Sequence, residues 1–275
     1  MTWMPAGPAI LFVPADRPDR FAKAATAADM VILDLEDGCR PENRAAARIA
    51  IAECDLDPAT TIVRVNPPGT PEFAADMEMV RTTAFRQLMC PKAEGAASME
   101  VFAAELPDAQ VIALAETALG VMCAEETAAS ESCVALFWGA EDLLASMGGV
   151  SSRFADGVYR DVPRFARAQV HLAAAAHGKA MLDAVFMDIQ DSVGLQSEAT
   201  DAAALGFAGS VCIHPLQVPV IRAAYAPAAE QVQWAEGLLA AAADNQGAFR
   251  YQGRMVDEPL FRQAQSILNR ARVSA

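Results

Sequence analysis

The sequence is poor in histidine, poor in aromatic residues and short of positive charge. Of its three histidines, His171 and His177 fall in a helical stretch and at its end, so no histidine cluster is expected to bind zinc. The six cysteines are scattered without a CxxC pair, which sets aside a cysteine zinc site and fits a reduced, cytoplasmic protein. Three tryptophans and three tyrosines, most away from strand ends, make no aromatic platform for a sugar. That argues against a glycosidase using Glu116 and Glu141 as its acid pair. A formal net charge of -14 repels phosphate polymers and anionic bilayers, so neither a nucleic-acid nor a membrane partner is expected. No segment offers about 18 consecutive apolar residues. The stretch MTWMPAGPAILFVPADRP also lacks a basic n-region, so no export signal is expected.

What the sequence does have is a repeating pattern. Eight short apolar runs recur: AILFVPA, MVILDLED, TIVRVN, QLMCPK, VIALAET, VALFWGAED, AMLDAV and SVCIHP. They are nearly continuous rather than alternating, as expected of parallel strands covered on both faces. Amphipathic helical stretches lie between them, among them RPDRFAKAATAA, PENRAAARIAIAE, GAASMEVFAAEL and TALGVMCAEETAAS. Eight β-then-α units are the number that closes a (β/α)8 TIM barrel. A doubly wound open sheet is the rival, but no GxGxxG follows the first run. The barrel is expected over residues 1–225. Residues 226–275 read as a C-terminal helical extension or lid, without a flexible linker before it.

Nearly every run ends in polar residues. Asp16 and Arg17 follow the first, Glu36 and Asp37 the second, Arg64 and Asn66 the third, and Lys92 the fourth. Glu116 ends the fifth, Glu141 and Asp142 the sixth, and His214 the eighth. In a barrel these ends converge on one mouth, where catalytic groups lie. Glu116 and Asp142 stand 26 positions apart, about one β/α unit, and should be neighbours at the rim. Such a pair is a like-charge acid/base couple, a buried ion-pair element, or the two protein ligands of a hard cation. Mg²⁺ favours oxygen donors and keeps positions open for water and substrate.

Arg64 precedes the turn Asn66-Pro67-Pro68-Gly69, which should leave its guanidinium aimed into the mouth, where its fork suits a carboxylate or a developing oxyanion. Glu36 and Asp37 are the acids expected to neutralise it. Arg17, Arg20 and Lys23 gather at the start of the first helix, a local basic cluster suited to a phosphate-bearing ligand in an otherwise acidic chain.

The motifs LFVPADRPDRFAKA, VILDLEDG, RVNPPGT, MCPKAEG, ALAET, WGAEDL and CIHPLQ, in this order, resemble the HpcH/HpaI aldolase and citrate lyase beta-subunit family. The stand-alone citrate lyase beta-like proteins and malyl-CoA lyases are the nearest in pattern. The resemblance implies a TIM barrel, a Mg²⁺ ion and reversible carbon–carbon cleavage of a short carboxylated 3-hydroxyacyl-CoA. It implies that Glu116 and Asp142 hold the metal and that Arg64 contacts substrate, with Glu36 in the catalytic set and Asp34 and Asp37 behind it. Arg17 and Lys23 would approach the CoA phosphates. Asp257, in GRMVDEP, would be brought to the mouth by the C-terminal lid of a neighbouring subunit in a homotrimer or hexamer. One departure is Gly209-Ser210, where the family often carries a lysine after the glycine; a CoA or rim contact is in question there. Two alternatives stand beside the lyase: a class II aldolase of 4-hydroxy-2-oxo acids that needs no CoA, and a subunit of a citrate lyase-like complex.

Overall fold

A computed structural model describes residues 3–243, 245 and 247–274. By chain contacts it divides into two compact units, Met1–Ile221 and Arg222–Ala275.

The first unit is a closed barrel of eight parallel strands. These are β1 (Ala9–Pro14), β2 (Met30–Asp34), β3 (Thr61–Arg64), β4 (Gln87–Cys90), β5 (Gln110–Ala115), β6 (Cys133–Trp138), β7 (Ala180–Asp183) and β8 (Gly209–Cys212). They pair in chain order, and β8 closes on β1 through Ala9–Ser210, Ile10–Val211 and Leu11–Cys212. The expected (β/α)8 architecture is the one observed. Closure has a local requirement at Gly209, where a Cβ would sit 2.8 Å from the Pro8 carbonyl oxygen, so the seam admits only glycine without rearrangement.

Alternation along the strands sorts the side chains. Ile10, Met30, Ile32, Ile62, Met89, Ile112, Leu114, Phe137, Leu182 and Val211 fill the barrel interior, all essentially inaccessible to water. Burying each large apolar side chain contributes roughly 1.5–3 kcal/mol, so this interior is a packed core and not a pore. Successive side chains of a strand point to opposite faces. Asp34 therefore shares the inward face with Met30 and Ile32, Arg64 with Ile62, and Glu116 with Ile112 and Leu114. The same parity sends Trp138 and Asp183 outward. There Asp183 accepts from Trp138 Nε1 at 2.7 Å and from Arg167 Nε and Nη2 at 3.0 and 2.8 Å, which ties β6 and β7 to the helix Asp161–Ala176.

The stretch TALGVMCAEETAAS departs from the continuous helix its pattern predicts. It forms two short helices, Ala118–Met122 and Ala124–Ala129, parted at Cys123, whose ψ of 13° breaks the helical run.

The second unit has its own small core of Ala235, Leu238, Val256 and Ala264. Helices Ala229–Ala243 and Glu258–Ser274 flank an antiparallel pair, β9 (Phe249–Tyr251) and β10 (Arg254–Val256), which the helical reading of this segment did not include. Gln252 and Gly253 join the two strands with φ of 45° and 81°, the signs a tight two-residue hairpin turn demands.

Candidate active site at the barrel mouth

At the carboxyl ends of the strands lies a cavity of about 380 Å³. Its polar side includes Asp34, Arg64, Glu116, Glu141 and Asp142, and its apolar wall includes Phe12, Leu114, Phe137, Val185, Met187 and Ile213. Inward-facing strand residues such as Asp34, Arg64, Leu114 and Phe137 reach this space, and the segments after the strands add Asp37, Glu116, Glu141, Asp142 and Met187.

Arg64 is held on three sides. Its Nε and Nη2 donate to Asp34 Oδ1 and Oδ2 at 2.7 and 2.6 Å, a bidentate pair in which both residues are buried. Its Nη1 lies 2.9 Å from Glu36 Oε2, an ion contact that lacks hydrogen-bond alignment. The Phe12 ring lies under the guanidinium, 4.8 Å from ring centre to Cζ. Burial pulls the Arg64 pKa down, but Asp34 and then Glu36 and Glu116 outweigh it, so the pKa ends above its ordinary value. Asp34 itself is saturated, for it also accepts from the backbone amides of Glu36 and Gly38 at 3.0 and 2.8 Å. A Cβ at Gly38 would lie 2.3 Å from Asp34 Oδ2, so this close approach needs glycine.

This corrects one expectation. The acids expected to neutralise Arg64 were Glu36 and Asp37. The structure gives that place to Asp34, with Glu36 second, while the Asp37 side chain is 60% exposed and stands 3.9 Å from Lys92 Nζ. The chain leaves β2 after Asp34, and the turn that follows buries Glu36 against Arg64 while Asp37 lies at the open rim of the cavity.

Glu116 follows β5 and is almost fully buried. The Lys92 amide donates to its Oε1 at 3.0 Å. Lys92 takes φ of 50° there, a left-handed conformation that costs a non-glycine residue about 1–3 kcal/mol. On its other side, a Cβ at Gly139 would lie 2.9 Å from the Glu116 Cβ and 3.1 Å from Oε2. Burial first, then repulsion from Glu36 and Asp142, pushes the Glu116 pKa up to about 8. Asp142 sits in the first turn of the helix Ala140–Ser146, and Glu141 beside it accepts from Ser152 Oγ at 2.6 Å.

Two oxygen-donor carboxylates in a negative, water-accessible pocket suit a hard divalent cation. Such a cation would offset the burial and then the repulsion that together raise the Glu116 pKa. Among the described residues no group of three or more His, Cys, Asp and Glu is gathered for a metal, so any cation here would complete its shell with water or substrate oxygens.

Glu36 is buried and meets Lys92 Nζ through Oε1. Burial raises its pKa, against the pull of Arg64 and Lys92. Behind these groups lies a residue the sequence did not single out. Asp76, on the helix Pro71–Arg81 and fully buried, accepts from the Asn66 amide and Nδ2 at 2.7 and 2.8 Å and from Arg48 Nε at 2.7 Å. Asn66 in turn donates to the Leu35 carbonyl at 3.1 Å. The turn after β3 is thereby fixed to the chain between Asp34 and Glu36. An aspartate in the middle of an amphipathic helix, six residues past a cap, was the only hint.

Of the remaining expected residues, those of the first unit lie outside the cavity lining. Arg17 is exposed and doubly bonded to Asp19 at 2.9 and 2.8 Å, and Lys23 is exposed on the helix Phe21–Ala27; neither lines the cavity. Asp257 belongs to the second unit, exposed at the start of the helix Glu258–Ser274. Ser210 lies buried in β8 with its amide bonded to the Pro8 carbonyl at 2.8 Å.

Comparison with known proteins agrees with this fold. The citrate lyase subunit beta-like protein of Mycobacterium tuberculosis is 53% identical over 97% of this chain and 96% of its own length. The mitochondrial citramalyl-CoA lyase of Rattus norvegicus is 32% identical over 96% of this chain and 85% of its own. Among solved structures, protein CitE from Mycobacterium tuberculosis in complex with magnesium, acetoacetate and coenzyme A superposes with a TM-score of 0.89. It is 53% identical and covers 96% of this chain and 98% of that one. The family profile described as HpcH/HpaI aldolase/citrate lyase matches residues 9–215, the whole of the barrel strands. The chain belongs to the HpcH/HpaI aldolase/citrate lyase family.

Proposed function

We propose that this protein is a Mg²⁺-dependent acyl-CoA lyase that cleaves, or forms, a short carboxylated 3-hydroxyacyl-CoA, giving acetyl-CoA and an oxo acid. The observation that carries the reading is the bidentate Asp34–Arg64 pair beside the Glu116 and Asp142 carboxylates, all lining one cavity. The magnesium and coenzyme A in the solved relative, and the citramalyl-CoA lyase among the relatives, support it.

Glu116 and Asp142 would hold the cation. Once bound there, Mg²⁺ supplies Lewis-acid polarisation of the substrate's hydroxyl and carboxylate oxygens. Arg64 presents a guanidinium fixed by Asp34 to oxygen that gains charge as the carbon–carbon bond breaks. Because that donor is already oriented, little reorganisation is needed at the transition state. Glu36 sets the third edge of the guanidinium. The apolar wall from Phe12 to Ile213 keeps water from the departing enolate. Asp257, carried by the second unit of a neighbouring subunit in a trimer or hexamer, would exchange a proton with the acetyl carbon. Arg17 and Lys23 would meet the CoA phosphates.

The test is incubation of the purified protein with malyl-, citramalyl- and hydroxymethylglutaryl-CoA, with Mg²⁺ or with EDTA, following acetyl-CoA. Cleavage of one thioester that EDTA abolishes is the expected result. A folded, Mg²⁺-binding protein that leaves all three intact but cleaves a 4-hydroxy-2-oxo acid would make it the CoA-independent aldolase instead.

A further inference from the structure

Lys92 has no part in the chemistry above, yet its geometry is unusual twice over. Its backbone adopts φ of 50°, and in that conformation its amide reaches Glu116 Oε1 at 3.0 Å. Its ammonium contacts Glu36 Oε1 and stands 3.9 Å from both Glu116 Oε1 and Asp37 Oδ2.

The charges at the mouth can be divided on this basis. Arg64 is committed by two hydrogen bonds to Asp34. Glu36 touches only one edge of that guanidinium, and its Oε2 gains no aligned hydrogen bond there. Arg64 and Asp34 therefore already make a neutral pair, and Glu36 is left as a surplus anion unless a second cation meets it. Lys92 is that cation. With it, the four groups Asp34, Arg64, Glu36 and Lys92 sum to zero, leaving Glu116 and Asp142 beside the two other acids of the cavity, Glu141, which accepts from Ser152 Oγ, and Asp37, whose side chain is 60% exposed.

We propose that Lys92 is a positioning residue that reserves Glu116 and Asp142 for the divalent cation, by neutralising Glu36 through its ammonium and orienting Glu116 through its amide. The inference rests on the reading of Glu116 and Asp142 as the cation's ligands. Without the ammonium, the Glu36 carboxyl has no cation at Oε1 and is open to the divalent cation bound beside it. It then attracts the cation, takes a coordination position that substrate oxygens need, and leaves Arg64 screened.

This predicts opposite signs for affinity and turnover. Lys92→Met keeps side-chain length and removes the charge. Removing a unit positive charge that stands 3.9 Å from Glu116 Oε1, in a solvent-open mouth, should tighten binding of a dication there by about tenfold. Titration calorimetry with Mg²⁺ alone, without substrate, should show that tightening while acetyl-CoA production falls at least as far. Lys92→Arg should return the parent affinity. The double variant Lys92→Met with Glu36→Gln removes both charges and should also bind Mg²⁺ as the parent does. Weaker or unchanged Mg²⁺ binding by a folded Lys92→Met protein overturns the proposal, as does a double variant that stays as tight as the single one. No Mg²⁺ binding by the parent overturns the cation reading itself, and this inference with it.

Discussion

Asp34 and Arg64 meet through two parallel hydrogen bonds, 2.7 and 2.6 Å long, between residues thirty positions apart on adjacent strands, and their Cα atoms are register partners in the β2–β3 pair. A fork-to-fork pair this buried fixes the guanidinium plane, which a point charge cannot do. Arg64→Lys should keep the fold but lower kcat/KM by about a hundredfold or more, the loss typical of one oriented oxyanion donor. A lysine variant with full turnover would remove Arg64 from the mechanism.

Asp34→Asn attacks the same pair from the other side and leaves a buried guanidinium short of its counter-charge. The expected loss of stability is about 3–5 kcal/mol, as for breaking a buried ion pair by removing one partner. Urea unfolding followed by circular dichroism measures it. A loss below about 1 kcal/mol, the range of an exposed pair, would mean that the pair opens to solvent.

Gly139 has ordinary backbone angles, so an alanine there meets only a steric objection. Its Cβ would stand 2.9 Å from the Glu116 Cβ. Glu116 cannot retreat without losing the Lys92 amide, so Gly139→Ala should displace the carboxylate. The expected result is Mg²⁺ affinity weakened by tenfold to a hundredfold, the range for disturbing a ligand's support, with a near-parent melting temperature. Unchanged affinity would show that Glu116 does not need this cradle.

Glu198 gives a pH test away from the mouth. It accepts from Arg153 at 2.8 and 3.1 Å, but burial dominates and raises its pKa above the ordinary 4.5. A carboxyl whose folded pKa lies above its unfolded one favours folding fully below the unfolded value, and that contribution is lost as pH rises through the folded value. Glu198→Gln does not titrate. Thermal melts of parent and variant should therefore shift in the variant's favour between acidic and neutral pH. A difference that moves the other way would mean that Arg153 outweighs burial.

The wall of Phe12, Leu114, Phe137, Val185, Met187 and Ile213 faces a polar side whose only cation, among the described lining residues, is Arg64. An acid fragment with a methyl group suits this wall. A fragment with a second carboxylate would bury a charge opposite Glu116 with no cation left to meet it. The citramalyl thioester should therefore be cleaved with a kcat/KM at least tenfold above a citryl thioester, one buried charge being a larger penalty than the methylene differences that usually separate substrates. Competition between the two measures the ratio, and a preference for citryl would require another cation at the mouth.

The barrel could be read from the sequence because eight apolar runs of similar length alternate with amphipathic stretches, and little else buries so many β-branched residues on both faces of a sheet. Glu116, Asp142 and Arg64 were legible for a related reason: a charged residue at the end of a buried strand needs an explanation. Asp76 and Lys92 were not. One looks like a helix-surface acid and the other like a rim lysine, and both depend on contacts between elements far apart in the chain. The hairpin Phe249–Tyr251 with Arg254–Val256 was missed because three-residue strands leave too short a pattern to register.

By itself, then, the sequence determined which residues stand at strand ends, because burial of apolar runs sets the strands and the strands set the ends. Which acid serves which cation was decided only in the tertiary structure. Strand alternation sent Asp34 inward, the turn after it buried Glu36 and left Asp37 at the rim, and the barrel brought Lys92 against Glu36 across 56 positions of chain. Electrostatic pairing falls with distance in space, and distance along the chain does not report it.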